Sequence, residues 1–142
     1  MKLHYVFPVI SGLASATSIL LPLYQYPADR GSVLTPITTA IAENPSLKFI
    51  LIINPANGPG PADSSPDTNY LAATRALAAY PNAQLIGYMH ASTDGGATRC
   101  SVPYSSIIND IRTWVIWWSK GVPISGIFVD EAPTDAQNNC VQ

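Results

Sequence analysis

Four short apolar runs, Ile19 to Tyr24, Phe49 to Asn54, Gln84 to Met89 and Ile124 to Asp130, recur along the chain, and none alternates strictly between apolar and polar positions. A strand with one wet face reads with a period of two, whereas a strand apolar at successive positions is buried on both faces. Three helix-like segments separate the runs. The first spans Pro36 to Glu43, with Thr35 as candidate N-cap, Pro36 at the first helical position and Pro45 as the stop. The second begins after Asp67, places Tyr70, Leu71, Thr74, Leu77 and Ala78 at helical spacing and ends before Pro81. The third, Tyr104 to Lys120, carries Ile107, Ile108, Ile111, Val115 and Trp118 on one face, with Gly121 as its stop; Trp114 and Trp117 fall beside that face, where packing of helix against sheet is their expected role and a sugar-stacking platform the alternative.

Strand and helix in alternation predict a parallel α/β sheet built from right-handed βαβ units. Such a series fits either a doubly wound sheet or part of a (β/α)8 barrel of the TIM type. The nucleotide-binding doubly wound fold needs a glycine fingerprint after its first strand, and the chain reads Tyr24-Gln25-Tyr26-Pro27 there. It also has no P-loop and no GxSxG elbow. Composition narrows the classes further. With 47% apolar and 11% charged residues the 142-residue chain is a globular domain, and its net charge of −2 provides no basic stripe for nucleic acid.

Residues 1–16 read as a secretory signal peptide: Lys2 near the start, an apolar run from Tyr5 to Ile10, then Ala14-Ser15-Ala16 as a small-residue cleavage site. Residues 17–142 are then the mature domain, secreted or held at the cell surface, with no membrane span after cleavage. A fused membrane helix from Val6 to Leu23 is the weaker reading, because Pro8, Gly12 and Pro22 interrupt it. Export permits a disulfide between Cys100 and Cys140, which would close a loop of about 40 residues and stabilise the fold by ~4 kcal/mol in the chain-entropy account. Two free thiols are the alternative. No Cys or His cluster supports a metal site, and no cofactor is implied.

In parallel α/β architectures ligands bind at the C-terminal ends of the strands. The run Gly126-Ile127-Phe128-Val129-Asp130-Glu131-Ala132-Pro133 ends there in two adjacent carboxylates. The other runs end in Tyr24, Gln25 and Tyr26, in Asn54 and Asn57, and in His90. Each has an ordinary alternative: tyrosines filling an edge, a turn at Asn57-Gly58, a hydrogen-bonded imidazole, an acidic helix cap. As a set they suit a carbohydrate, with aromatics on the sugar face, amides and imidazole on hydroxyls, and carboxylates at the glycosidic oxygen. Neighbouring residues of an extended strand point to opposite sides, so Asp130 and Glu131 converge only if the backbone bends between them.

The chain resembles spherulation-specific family 4, the spherulin-4-like proteins. The resemblance lies in Leu20-Leu21-Pro22-Leu23-Tyr24-Gln25-Tyr26-Pro27, in Ile52-Ile53-Asn54-Pro55-Ala56-Asn57-Gly58-Pro59-Gly60-Pro61, in Ile86-Gly87-Tyr88-Met89-His90 and in the Gly126 to Pro133 run, spread over nearly all of the mature chain. It implies a secreted (β/α)8 barrel, some members being glycoside hydrolases that cleave α-1,4-linked galactosamine-containing polymers, with Asp130 and Glu131 as the catalytic acidic pair. It also implies a further catalytic glutamate on a later strand.

Four strands make the first half of such a barrel, which needs at least about 200 residues. The expectation is therefore an incomplete barrel, inactive alone, with Tyr24, Tyr26, Asn54 and His90 as substrate-binding residues. Its open edges are candidate surfaces for self-association. Two alternatives stand beside it: a non-catalytic carbohydrate-binding protein of the cell wall or surface, and a self-contained flavodoxin-like domain with helices on both faces of an open sheet.

Overall fold

Residues 17–92 and 101–132, the residues described by the computed structural model, form one parallel sheet with helices packed on it. The expected leader and both cysteines, Cys100 and Cys140, lie outside the described residues. In chain order the elements are β1 (Ser18–Leu23), α1 (Ala28–Gly31), a 3-10 turn (Ser32–Leu34), α2 (Thr35–Glu43), β2 (Lys48–Ile53), α3 (Thr68–Ala78), β3 (Ala83–His90), α4 (Tyr104–Ser119) and β4 (Ile124–Asp130).

The local signals explain most boundaries. Pro36 sits in the first turn of α2, where its missing N–H costs nothing. Thr35 is not the N-cap of that helix; Leu34 occupies the position, and the Thr35 hydroxyl donates back to the Ser32 carbonyl. Asp67 caps α3, its Oδ1 accepting from the N–H groups of Asn69 (2.9 Å) and Tyr70 (2.8 Å). Helix α4 stops where Gly121 takes φ 87° and donates to the Trp118 carbonyl. The turn α1 was not legible beforehand; it places the non-glycine residues Asp29 and Arg30 at φ 50° and 57°.

The strands lie in the order β1-β2-β3-β4, every neighbour parallel. Each crossover therefore steps the same way across the sheet. A flavodoxin-like sheet has the order 2-1-3-4-5, which reverses after its first crossover. The described sheet has no such reversal, and the flavodoxin-like alternative does not describe it. The helices share one face: Ile41 of α2, Tyr70, Ala73 and Leu77 of α3, and Trp114 and Trp117 of α4 join a single buried cluster with Leu23, Phe49, Leu51, Ile53 and Leu85.

Helix α4 packs on the sheet through the two tryptophans, as expected of them, but the stripe expected beside them turns outward at Val115 and Trp118. Trp114 and Trp117, each 2% exposed, are its buried anchors, while Val115 and Trp118 are 59% and 62% exposed. The tryptophans win the inner position because β3 offers Gly87, whose missing side chain leaves room for the Trp114 ring. The displaced stripe of Ile111, Val115 and Trp118 faces an apolar groove beside Ile124, Gly126 and Ile127 of β4.

Candidate functional site

The C-terminal end of β4 is aimed by a β-bulge. Leu85 pairs with Ile124, but Gly87 pairs with Ile127, so Ser125 and Gly126 together oppose Ile86. The Ser125 hydroxyl fills the bulge, donating to the Leu85 carbonyl and accepting from Gln84 Nε2. One extra residue inverts the facing of everything after it. As a result Phe128 pairs with Tyr88 and Asp130 with His90, on the face opposite the helices. Without the bulge, Asp130 would face the helix layer. Gly126 is the signal that pattern reading passed over, since a glycine inside a strand often marks a bulge.

On that face the Tyr88 ring stands between two aromatics. Its centroid lies 5.7 Å from Tyr24, edge to face, and 6.2 Å from Phe128. Its hydroxyl donates to Asp130 Oδ2 at 2.8 Å. Asp130 Oδ1 accepts the backbone N–H of Glu131 at 2.9 Å. Glu131 itself takes φ 54°, left-handed backbone that a residue with a side chain adopts only under constraint. The chain thus bends between the two carboxylates as convergence requires.

The electrostatics agree with that placement. Burial pushes the Tyr88 phenol well above its ordinary value near 10, and the hydrogen bond to Asp130 and the charges of Asp130 and Glu131 push it further. The Tyr24 phenol is raised too, first by burial and then by Asp130. Tyr24, Tyr88, Asp130 and Glu131 therefore form one electrostatic neighbourhood.

The other expected site residues are engaged nearby. Nδ1 of His90 lies 2.9 Å from the Asn57 carbonyl, and the Asn54 side-chain oxygen accepts the Gly58 N–H at 3.1 Å. Asn57 and Gly58 take φ 52° and 154°, so Asn54 closes the turn expected there. Tyr26 points to a different neighbourhood. Its hydroxyl donates to Asp67 Oδ2 and accepts from Asn69 Nδ2, and its ring meets Tyr70 at 5.5 Å, tying the β1 loop to the start of α3.

Two residues of this rim escaped sequence reading. Tyr88 lies two positions before His90, so strand periodicity alone puts it on the same face. Asp110, on α4, is held partly buried beneath Gly58; burial raises its carboxyl, and the neighbouring His90 opposes that rise. Only the tertiary fold brings it to the rim. Among the described residues no group of three or more His, Cys, Asp or Glu is placed to hold a metal ion. No helix among them is long and apolar enough to cross a membrane.

Fold and rim together define a parallel α/β protein with an acidic, aromatic cluster at the C-terminal ends of its strands. The family model of spherulation-specific family 4 matches residues 18–142, and the chain belongs to that family. Among solved structures it is similar to Aspergillus clavatus Sph3 in complex with GalNAc, at 33% sequence identity and a TM-score of 0.72. The match covers 86% of this chain and 47% of the Sph3 chain, so this sequence spans about half the length of that structure. No curated protein matches it.

Proposed function

We propose that this chain is the first half of a (β/α)8 barrel whose rim binds and hydrolyses an α-1,4-linked galactosamine-containing polysaccharide outside the cell. The unreversed strand order and the single helix-covered face support the barrel, since a closed barrel keeps every helix outside. The GalNAc bound to Sph3 supports the substrate class. The observation that carries the reading is the Asp130 carboxylate, held at the C-terminal end of β4 by the Tyr88 hydroxyl.

In this account Asp130 is the principal catalytic carboxylate and Glu131 its neighbour in placing charge, with Tyr24 offering a face to the sugar. Hydrolysis needs two carboxyl groups on either side of the glycosidic bond, about 5 to 5.5 Å apart for retention or about 6.5 to 9.5 Å for inversion. The second group would come from the other half of the barrel. The 142-residue chain alone then acts as a carbohydrate-binding unit. That binding reading is favoured for the chain by itself because Asp130 and Glu131 are adjacent in sequence and share one side of the rim.

The test is release of reducing ends from a galactosamine polymer by the protein with its barrel closed. Asp130→Asn should lower turnover at least ~100-fold, as expected for loss of a catalytic carboxylate. Full turnover in that variant would remove Asp130 from the chemistry.

A further inference from the structure

We propose that Tyr88 is the positioning residue of the Asp130 carboxylate, a role that rests on the hydrolase reading of this rim. A hydroxyl on a buried tyrosine usually finds some acceptor, so the bond alone would be unremarkable. Its setting is more specific. The Tyr88 backbone is pinned from behind by Trp114, whose indole Nε1–H donates to the Tyr88 carbonyl at 3.0 Å while its ring fills the space over Gly87. The Tyr88 ring is only 6% exposed as a residue and is wedged between Tyr24 and Phe128, so it cannot swing away from Asp130.

Asp130 is therefore held at both oxygens, Oδ2 by the Tyr88 hydroxyl and Oδ1 by the Glu131 N–H. Two donors on two oxygens fix the plane of the carboxylate. Each oxygen keeps a second acceptor site for a sugar hydroxyl or a reacting atom. The phenol keeps its proton at neutral pH as any tyrosine does, and burial and the Asp130 charge hold it protonated well into the alkaline range. Tyr88 thus serves as a fixed donor and takes no part as an acid. A carboxylate that is preset in this way need not reorganise when charge develops at the sugar.

Tyr88→Phe keeps the ring and removes only the donor. In the barrel-closed protein the variant should lose ~10–100-fold in kcat, the effect of one hydrogen bond to an ionised group, with KM within about twofold of the parent. An unchanged kcat would overturn the proposal. So would an equal rise in KM with kcat retained, which would make Tyr88 a sugar-binding surface instead.

A second measurement needs no turnover and uses the 142-residue chain. Phenolate absorption is followed through an alkaline titration of the parent and of Asp130→Asn. Removing the carboxylate should move one tyrosine ionisation to lower pH, and most of that shift should vanish when Tyr88→Phe is added. Identical titrations in parent and Asp130→Asn would show that the hydrogen bond does not exist. Because this arm is independent of hydrolysis, failure to cleave a galactosamine polymer would count against the proposed function alone.

Discussion

Gly87 lies directly beneath the indole of Trp114: a Cβ built on it would fall 2.5 Å from Trp114 Cε2 and 2.6 Å from Cδ2. Both distances are shorter than carbon atoms tolerate, so the absence of a side chain on β3 is what lets α4 settle on the sheet. The same contact delivers the Trp114 Nε1–H to the Tyr88 carbonyl. Packing on the helix face and geometry on the rim face therefore meet at two consecutive residues.

Gly87→Ala should accordingly destabilise the fold by about 1–3 kcal/mol, the usual cost of overpacking a filled core. Urea denaturation measures it. A change below ~0.5 kcal/mol, the range of neutral surface substitutions, would mean that α4 does not rest on β3 as described.

Asp67 joins two regions, since it caps α3 through Oδ1 and accepts the Tyr26 hydroxyl through Oδ2. Asp67→Ala should cost about 1–2 kcal/mol, while Asp67→Asn, itself a good cap, should cost only a fraction of that. Equal losses in the two variants would show that the carboxylate charge matters more than the cap.

Alkaline pH should weaken the fold ahead of any acid effect at these tyrosines. The phenols of Tyr24, Tyr70 and Tyr88 are all raised above the ordinary value of 10.0, in each case chiefly by burial. The unfolded chain then loses these protons first, so the stability they contribute is whole below about pH 10 and is lost as pH rises through the folded-state values. Thermal melts from pH 8 to 11 should show Tm falling above about pH 10, and Tyr88→Phe should flatten that fall. An identical slope in the variant would contradict the assignment of Tyr88.

The sheet was legible in the sequence because both-face burial leaves unbroken apolar runs. All four strands stand within about one residue of expectation, and β4 coincides with it. Helix α3 was legible through Asp67. What pattern reading could not give was rotation and facing. On α4 the stripe of Ile111, Val115 and Trp118 is as helical as the pair Trp114 and Trp117, and only the hole at Gly87 decides between them.

The rim was half legible for a similar reason. Places at strand ends point to Asp130, Glu131 and Tyr24, and the Tyr88–Asp130 bond, the Tyr24–Tyr88 ring contact and the Glu131 charge felt at Tyr88 bring them into one neighbourhood. Whether Asp130 and Glu131 could converge depended on the bulge at Ser125-Gly126 and on the positive φ of Glu131. Both are backbone irregularities paid for by tertiary packing, and hydrophobic periodicity does not encode them. Tyr26 follows the same strand end, yet its hydroxyl is committed to Asp67 and Asn69.

Deleting Ser125 tests the bulge. The loss of the one extra residue should return β4 to unbroken alternation while leaving Ile127 opposite Gly87, Asp130 opposite His90 and the Tyr88–Asp130 bond in place. The alkaline shift between this variant and its Asp130→Asn derivative should then be retained. Loss of the shift would show that the one extra residue at Ser125-Gly126 is not what separates the two registers of β4.

The most direct measurement is the position of GalNAc on this chain, mapped by NMR perturbation of assigned amide and tyrosine resonances during titration with the sugar. Perturbations centred on Tyr24, Tyr88, Asp130 and Glu131 are the expected result. Perturbations centred instead on the groove beside Trp118 and Ile124, with the strand ends silent, would contradict the account.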